Sequence, residues 1–119
     1  MLHKVNIAGL AMDPASNTPI ILLKTEEGEK TLPIWIGLLE ATSIASALQD
    51  IQFDRPMTHD LFKNFSDAYG IRIIEVNIHK LEEGVFYANI LCDNGSHQMT
   101  LDARTSNAFP LALRFQSPI

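Results

Sequence analysis

One cysteine stands among 119 residues, so no internal disulfide can form. That absence points to a reducing, cytoplasmic setting. Cys92 and four scattered histidines also exclude a zinc-finger or disulfide framework. Long apolar runs are missing. Runs such as Pro19 to Leu23 are far too short to cross a bilayer, so no membrane segment is expected. Lys4 and Asn6 interrupt the only apolar stretch near the start, which argues against a secretory signal. Repeats, low-complexity tracts and linkers are absent. Basic charge is scarce: 9 Lys and Arg face 14 Asp and Glu, a net of −5. Such a chain lacks the overall positive field that supports non-specific nucleic-acid binding. The deficit is uneven, because positions 93–119 carry Asp93, Asp102, Arg104 and Arg114 and sum to zero. Any anion-binding face is therefore local and draws on the second half.

What is present reads as an ordinary globular balance, 46% apolar and 19% charged. His3 to Ala11 alternates as a strand, with Val5 and Ile7 on one face. Asp13 to Asn17 is a turn, and the β-branched run Thr18 to Thr25 is a second strand. Glu26-Glu27-Gly28-Glu29 reads as a hairpin tip. Lys30 to Ile36 is a third strand, with Leu32, Ile34 and Ile36 inward and Trp35 outward. After Gly37, Ala41, Ile44, Ala45 and Leu48 form one helical stripe. Thr58 opens a second helix that Gly70 ends, with Leu61, Phe62, Phe65 and Ala68 as its expected buried face. Ile71 to Lys80 is a strand whose inward parity shifts between Ile73 and Ile74, the signature of a bulge. Val85 to Cys92 and His97 to Ala103 follow, joined through Asn94-Gly95. A last helix follows Thr105, and Pro110 predicts a late start or a distorted first turn. The order predicts an α+β fold: a single compact domain with a mostly antiparallel or mixed sheet of about six strands, in two blocks, with three helices.

Several blocks then carry a resemblance. They are Leu32-Pro33-Ile34-Trp35-Ile36-Gly37, Glu40-Ala41, Ile44-Ala45, Arg55-Pro56-Met57-Thr58-His59-Asp60-Leu61, Asp102-Ala103-Arg104 with Ser106 and Ala108, and Leu111-Ala112-Leu113-Arg114 with Pro118-Ile119. In order and spacing the chain resembles the bifunctional nuclease domain family from end to end. The resemblance implies a small α+β domain over 1–119 that self-associates, most simply as a homodimer, and hydrolyses both DNA and RNA. One stretch departs from the pattern. After Asp-Ala-Arg the family usually reads Pro-Ser-Asp-Ala-Ile-Ala, whereas this chain reads Thr105-Ser106-Asn107-Ala108-Phe109-Pro110. Asn107 thus stands where a carboxylate is usual.

Phosphodiester hydrolysis needs an activated water, neutralisation of phosphoryl charge and protonation of the leaving oxygen. Glu40, His59, Asp60 and Asp102 are the candidate acids, bases or ligands. A divalent cation such as Mg²⁺ needs only one or two protein carboxylates. Arg55, Arg104 and Arg114 are candidate phosphate clamps, because a guanidinium fork matches phosphate oxygens, and Ser106 is a further substrate contact. Each has a structural counterpart. Glu40 and Asp60 suit helix N-termini, Arg114 suits a helix C-terminus, and Thr105 and Ser106 suit a cap. Asp102 and Arg104 share a strand face, either as a surface ion pair or with Asp102 orienting Arg104 toward a ligand. Trp35 suits a base stack or a subunit contact.

Two functions follow. One is a nuclease, metal-assisted and favouring single-stranded DNA or RNA, because the net charge gives little grip on duplex. The other is a non-catalytic homo-oligomeric binding or regulatory module with a small anion site.

Overall fold

Alternating and β-branched runs become strands where Gly or Asn can turn the chain between them. In the computed structural model, which describes residues 3–28 and 30–119, β1 (Val5–Asp13), β2 (Thr18–Thr25) and β3 (Thr31–Trp35) form one antiparallel sheet in that order. A second antiparallel sheet is built from β4 (Arg72–Glu82), β5 (Val85–Asp93) and β6 (Gln98–Arg104). The helices are α1 (Leu38–Leu48), α2 (Thr58–Ala68) and α3 (Thr105–Phe115). This is α+β architecture, with the two strand blocks resolved as two separate sheets. Glu29, expected in the first hairpin tip, lies outside the described residues. At the β5–β6 turn, Gly95 holds a left-handed φ of 95° while Asn94 Oδ1 accepts from the N–H groups of Ser96 and His97.

The parity shift in β4 is real. Pairing with β5 slips between Ile73 and Glu75, which lets Ile73 and Val76 both face inward. Two further slips, at Ile7/Gly9 and Ile78/Lys80, left no mark in the hydrophobic pattern.

α3 joins two cores. Ala108, Leu111 and Ala112 pack with Ile73, Val76, Ala88 and Ile90 of the second sheet. Phe109, fully buried, packs with Ile21, Leu23 and Ile34 of the first sheet and with Ile44 of α1. The chain end stitches the same seam: Val5 N–H donates to Ile119 O at 3.1 Å, and Val76 N–H donates to Pro118 O at 3.0 Å. Free Cys92 is buried, and burial raises its thiol pKa.

Three sequence expectations change. α3 begins directly at Thr105, where β6 ends, although Pro110 sits inside it. Proline at the sixth helical position removes only the backbone donor that Ser106 O would accept, so one bond is lost and the helix start stays in place. Leu32 and Leu48 are exposed rather than inward. The apolar stripe of α2 also faces outward: Leu61, Phe62, Phe65 and Ala68 are all exposed, and the inward side carries His59, Lys63 and Ser66. Polar ties to α1 and α3 set the rotation of this helix, as the site geometry shows. Among the described residues no helix is long and apolar enough to cross a membrane.

Candidate active site

Arg114, near the end of α3, is the hub of the three helices. Its side chain is only 8% exposed. Nε donates to Asp60 Oδ1 of α2 at 2.6 Å, and Nη1 donates to Pro110 O of its own helix at 3.1 Å. Nη1 and Nη2 both reach Ser43 O of α1 at 3.3 Å. Asp60 also accepts the Met57 N–H at 3.1 Å, a bond that closes the start of α2. Burial pushes the Asp60 carboxyl up. The hydrogen bond from Arg114, the Met57 N–H and the charge of Arg114 outweigh it and hold the group below the usual range. Arg114 and Asp60, named from sequence as clamp and acid, are therefore placed together as an internal ion pair.

Above that clamp each helix presents one polar side chain. His59 Nδ1 of α2 lies 2.7 Å from Ser43 Oγ of α1. His59 Nε2 lies 3.1 Å from Asn107 Oδ1 of α3. An amide oxygen only accepts, so Nε2 carries the hydrogen in the neutral ring. Nδ1 is then the lone-pair nitrogen, and the Ser43 hydroxyl donates to it.

His59, Thr58 and Asn107 form a wall shared by two hollows. One, of about 420 Å³, also takes in Glu40, Ser43 and Phe53. The other, of about 490 Å³, takes in Asp102, Arg104 and Phe62. The structure thus brings Glu40, His59, Asp102 and Arg104 around one divided groove. Glu40 leans back over the start of α1, where a Cβ added to Gly37 would come 2.8 Å from Glu40 Oε2. Asp102 and Arg104 are both exposed, and no ion pair joins them. Arg104 also borders a smaller hollow of about 210 Å³ with Trp35, Thr105 and Ser106. Ser106 is buried and its Oγ has no hydrogen-bond partner among the described residues, while α3 has no side-chain N-cap. Arg55 is exposed on the α1–α2 loop and borders neither half of the groove. Trp35 is also exposed, and its indole N–H donates to Asp13 Oδ2 at 3.0 Å.

No group of three or more His, Cys, Asp or Glu side chains converges on a metal position among the described residues. A cage built from protein alone does not fit. Each side of the wall instead offers one carboxylate, Glu40 or Asp102, which is the number Mg²⁺ takes from protein when a phosphate supplies further ligands.

Sequence reasoning missed Ser43, and it read Asn107 only as a missing carboxylate. Ser43 lies on the flank of an apolar helix, and its partner is 16 residues away in an unrelated helix. The one available signal was a hydroxyl three residues after Glu40, on the same side of α1.

Comparison with known proteins places the chain in a family. A family model described as the bifunctional nuclease domain matches residues 21–119. An uncharacterized protein of Mycobacterium tuberculosis is 38% identical over 118 residues, 99% of this chain and 70% of the relative. Bifunctional nuclease 1 of Arabidopsis thaliana is 28% identical over 105 residues, 85% of this chain but 32% of that protein. The chain belongs to the bifunctional nuclease domain family.

Proposed function

We propose that this chain hydrolyses phosphodiester bonds of DNA and RNA in the groove that His59 divides. The observation that carries this reading is His59 itself. It is hydrogen-bonded at both ring nitrogens and forms part of the wall of both hollows. A base held this way is oriented before substrate arrives. Arg104 is exposed on the Asp102 side, and among the described residues no side chain pairs with its guanidinium, which offers a fork for a phosphate. The family and the name of the Arabidopsis relative support the same chemistry. Single strands are the favoured substrate, because a chain of net charge −5 holds duplex poorly. A divalent cation bound through Glu40 would neutralise charge on the phosphate. The buried free thiol fits a cytoplasmic setting.

We also propose that the chain works as a homodimer. The outward apolar stripe of α2, with Leu61, Phe65 and Tyr69 exposed, is a contact surface a monomer has no use for.

The test is cleavage of single-stranded and duplex DNA and RNA by purified protein, across a Mg²⁺ titration and in chelator. Single strands are cut faster, and Glu40→Gln or Asp102→Asn slows cutting by about tenfold or more. Cleavage untouched by both substitutions would trace to a contaminant and reject this site. One observation favours a second reading, a non-catalytic binding module: Asn107 supplies a neutral amide to His59 in place of a carboxylate. Tight strand binding with no turnover under any condition would select that reading.

A further inference from the structure

We propose that Ser43 is the nucleophile of this groove and carries the phosphoryl group as a covalent intermediate. The inference rests on the phosphodiesterase reading above. α1 contains three hydroxyl residues, and they behave differently. A serine or threonine inside a helix ordinarily bonds back to a carbonyl of the preceding turn. Thr42 Oγ1 does so, donating to Leu38 O at 2.9 Å, and Ser46 Oγ donates to Ser43 O at 3.0 Å. Ser43 instead turns across to His59 Nδ1 at 2.7 Å. With Asn107 Oδ1 fixing the hydrogen on Nε2, the order is hydroxyl, base and orienting group. That is the arrangement by which a weak serine nucleophile is activated.

Position supports the same role. Ser43, His59 and Asn107 all border the hollow that holds Glu40. The start of α2, at Thr58 and His59, borders it too. N–H groups of a first helical turn have no intrahelical acceptors, and they offer a positive end to phosphoryl oxygens. The backbone of Ser43 is held from behind, because its carbonyl accepts from Arg114 and Ser46.

The chemistry balances in two displacements. In the first, Ser43 Oγ bonds to phosphorus and gives its proton to His59 Nδ1. The ester bond to one strand breaks, and the departing sugar oxygen takes a proton from solvent. In the second, water attacks phosphorus and loses a proton to solvent. The Oγ–P bond breaks, and Ser43 leaves with the proton held on His59. The net change is one diester and one water converted to one monoester and one alcohol.

A fluorophosphonate reports on the nucleophile without needing a strand. Incubation with the full chain, followed by peptide mass spectrometry, is expected to place one adduct on Ser43. His59→Ala is expected to slow its formation by about a hundredfold or more. An adduct on Ser43 in protein that cuts no strand would support the nucleophile and reject the phosphodiesterase reading alone. No adduct on Ser43, in protein whose strand cleavage needs His59 but survives Ser43→Ala within about threefold, would overturn the proposal and leave the nuclease reading standing.

Discussion

Arg114 Nε donates to Asp60 Oδ1 at 2.6 Å, tying α3 to α2 across 54 positions of sequence. The same guanidinium holds the carbonyl of Ser43 in α1. One buried cation therefore fixes the three helices whose side chains meet at His59. A partly buried pair of this kind adds little over a well-packed apolar pair, but removing one partner strands the other.

Asp60→Ala should accordingly cost about 2 kcal/mol, or about 8 °C in Tm, because it leaves a buried guanidinium unpaired. The folded carboxyl sits below its usual value, so the pair contributes fully above the unfolded range near pH 4. That contribution is lost as pH falls through the folded value. Thermal melts should show the gap between native chain and variant closing only under acid, below about pH 4.

Asn107→Asp should speed strand cleavage by about tenfold or more. The carboxylate would face the ring nitrogen that now meets Asn107 Oδ1 and would stabilise the imidazolium formed when His59 takes a proton. Single-turnover rates measure this directly. A rate unchanged or lowered would mean that His59 gains no charge during the reaction.

If the proposed homodimer forms through α2, Leu61→Glu combined with Phe65→Glu should convert it to monomer, read by light scattering across a concentration series. Both residues are exposed in the isolated chain, so at concentrations too low for association folding stability should change by about 0.5 kcal/mol or less.

Phe109→Ala should destabilise the fold by about 3–5 kcal/mol in denaturant titration. Phe109 is the fully buried α3 residue packed among Ile21, Leu23, Ile34 and Ile44, so truncating it leaves a cavity between the first sheet and the helices.

Much of the fold was legible because period-two patterns and turn residues act locally. The hairpin at Gly95, the α2 stop at Gly70 and the bulge at Ile73 all follow from a few neighbouring residues. The phase of α2 was not legible. Periodicity shows that Leu61 and Phe65 share a face, but not whether that face turns inward. The direction is set by Asp60 reaching Arg114 and His59 reaching Ser43 and Asn107, contacts that span 54, 16 and 48 positions. Glu40, His59, Asp102 and Arg104 could be named from residue chemistry and family resemblance, and they do gather around one groove. Ser43 could not be named, since a serine in an apolar helix gives no outward sign of which way its hydroxyl turns.

The central claim is that the imidazole of His59 drives strand cleavage. His59→Gln keeps a side chain of similar size while removing the base, and cleavage of a single-stranded oligonucleotide can be timed beside the native chain. The account predicts a loss of about a hundredfold or more, with Tm within a few degrees of the native chain. Cleavage at the native rate by a folded His59→Gln chain would contradict it.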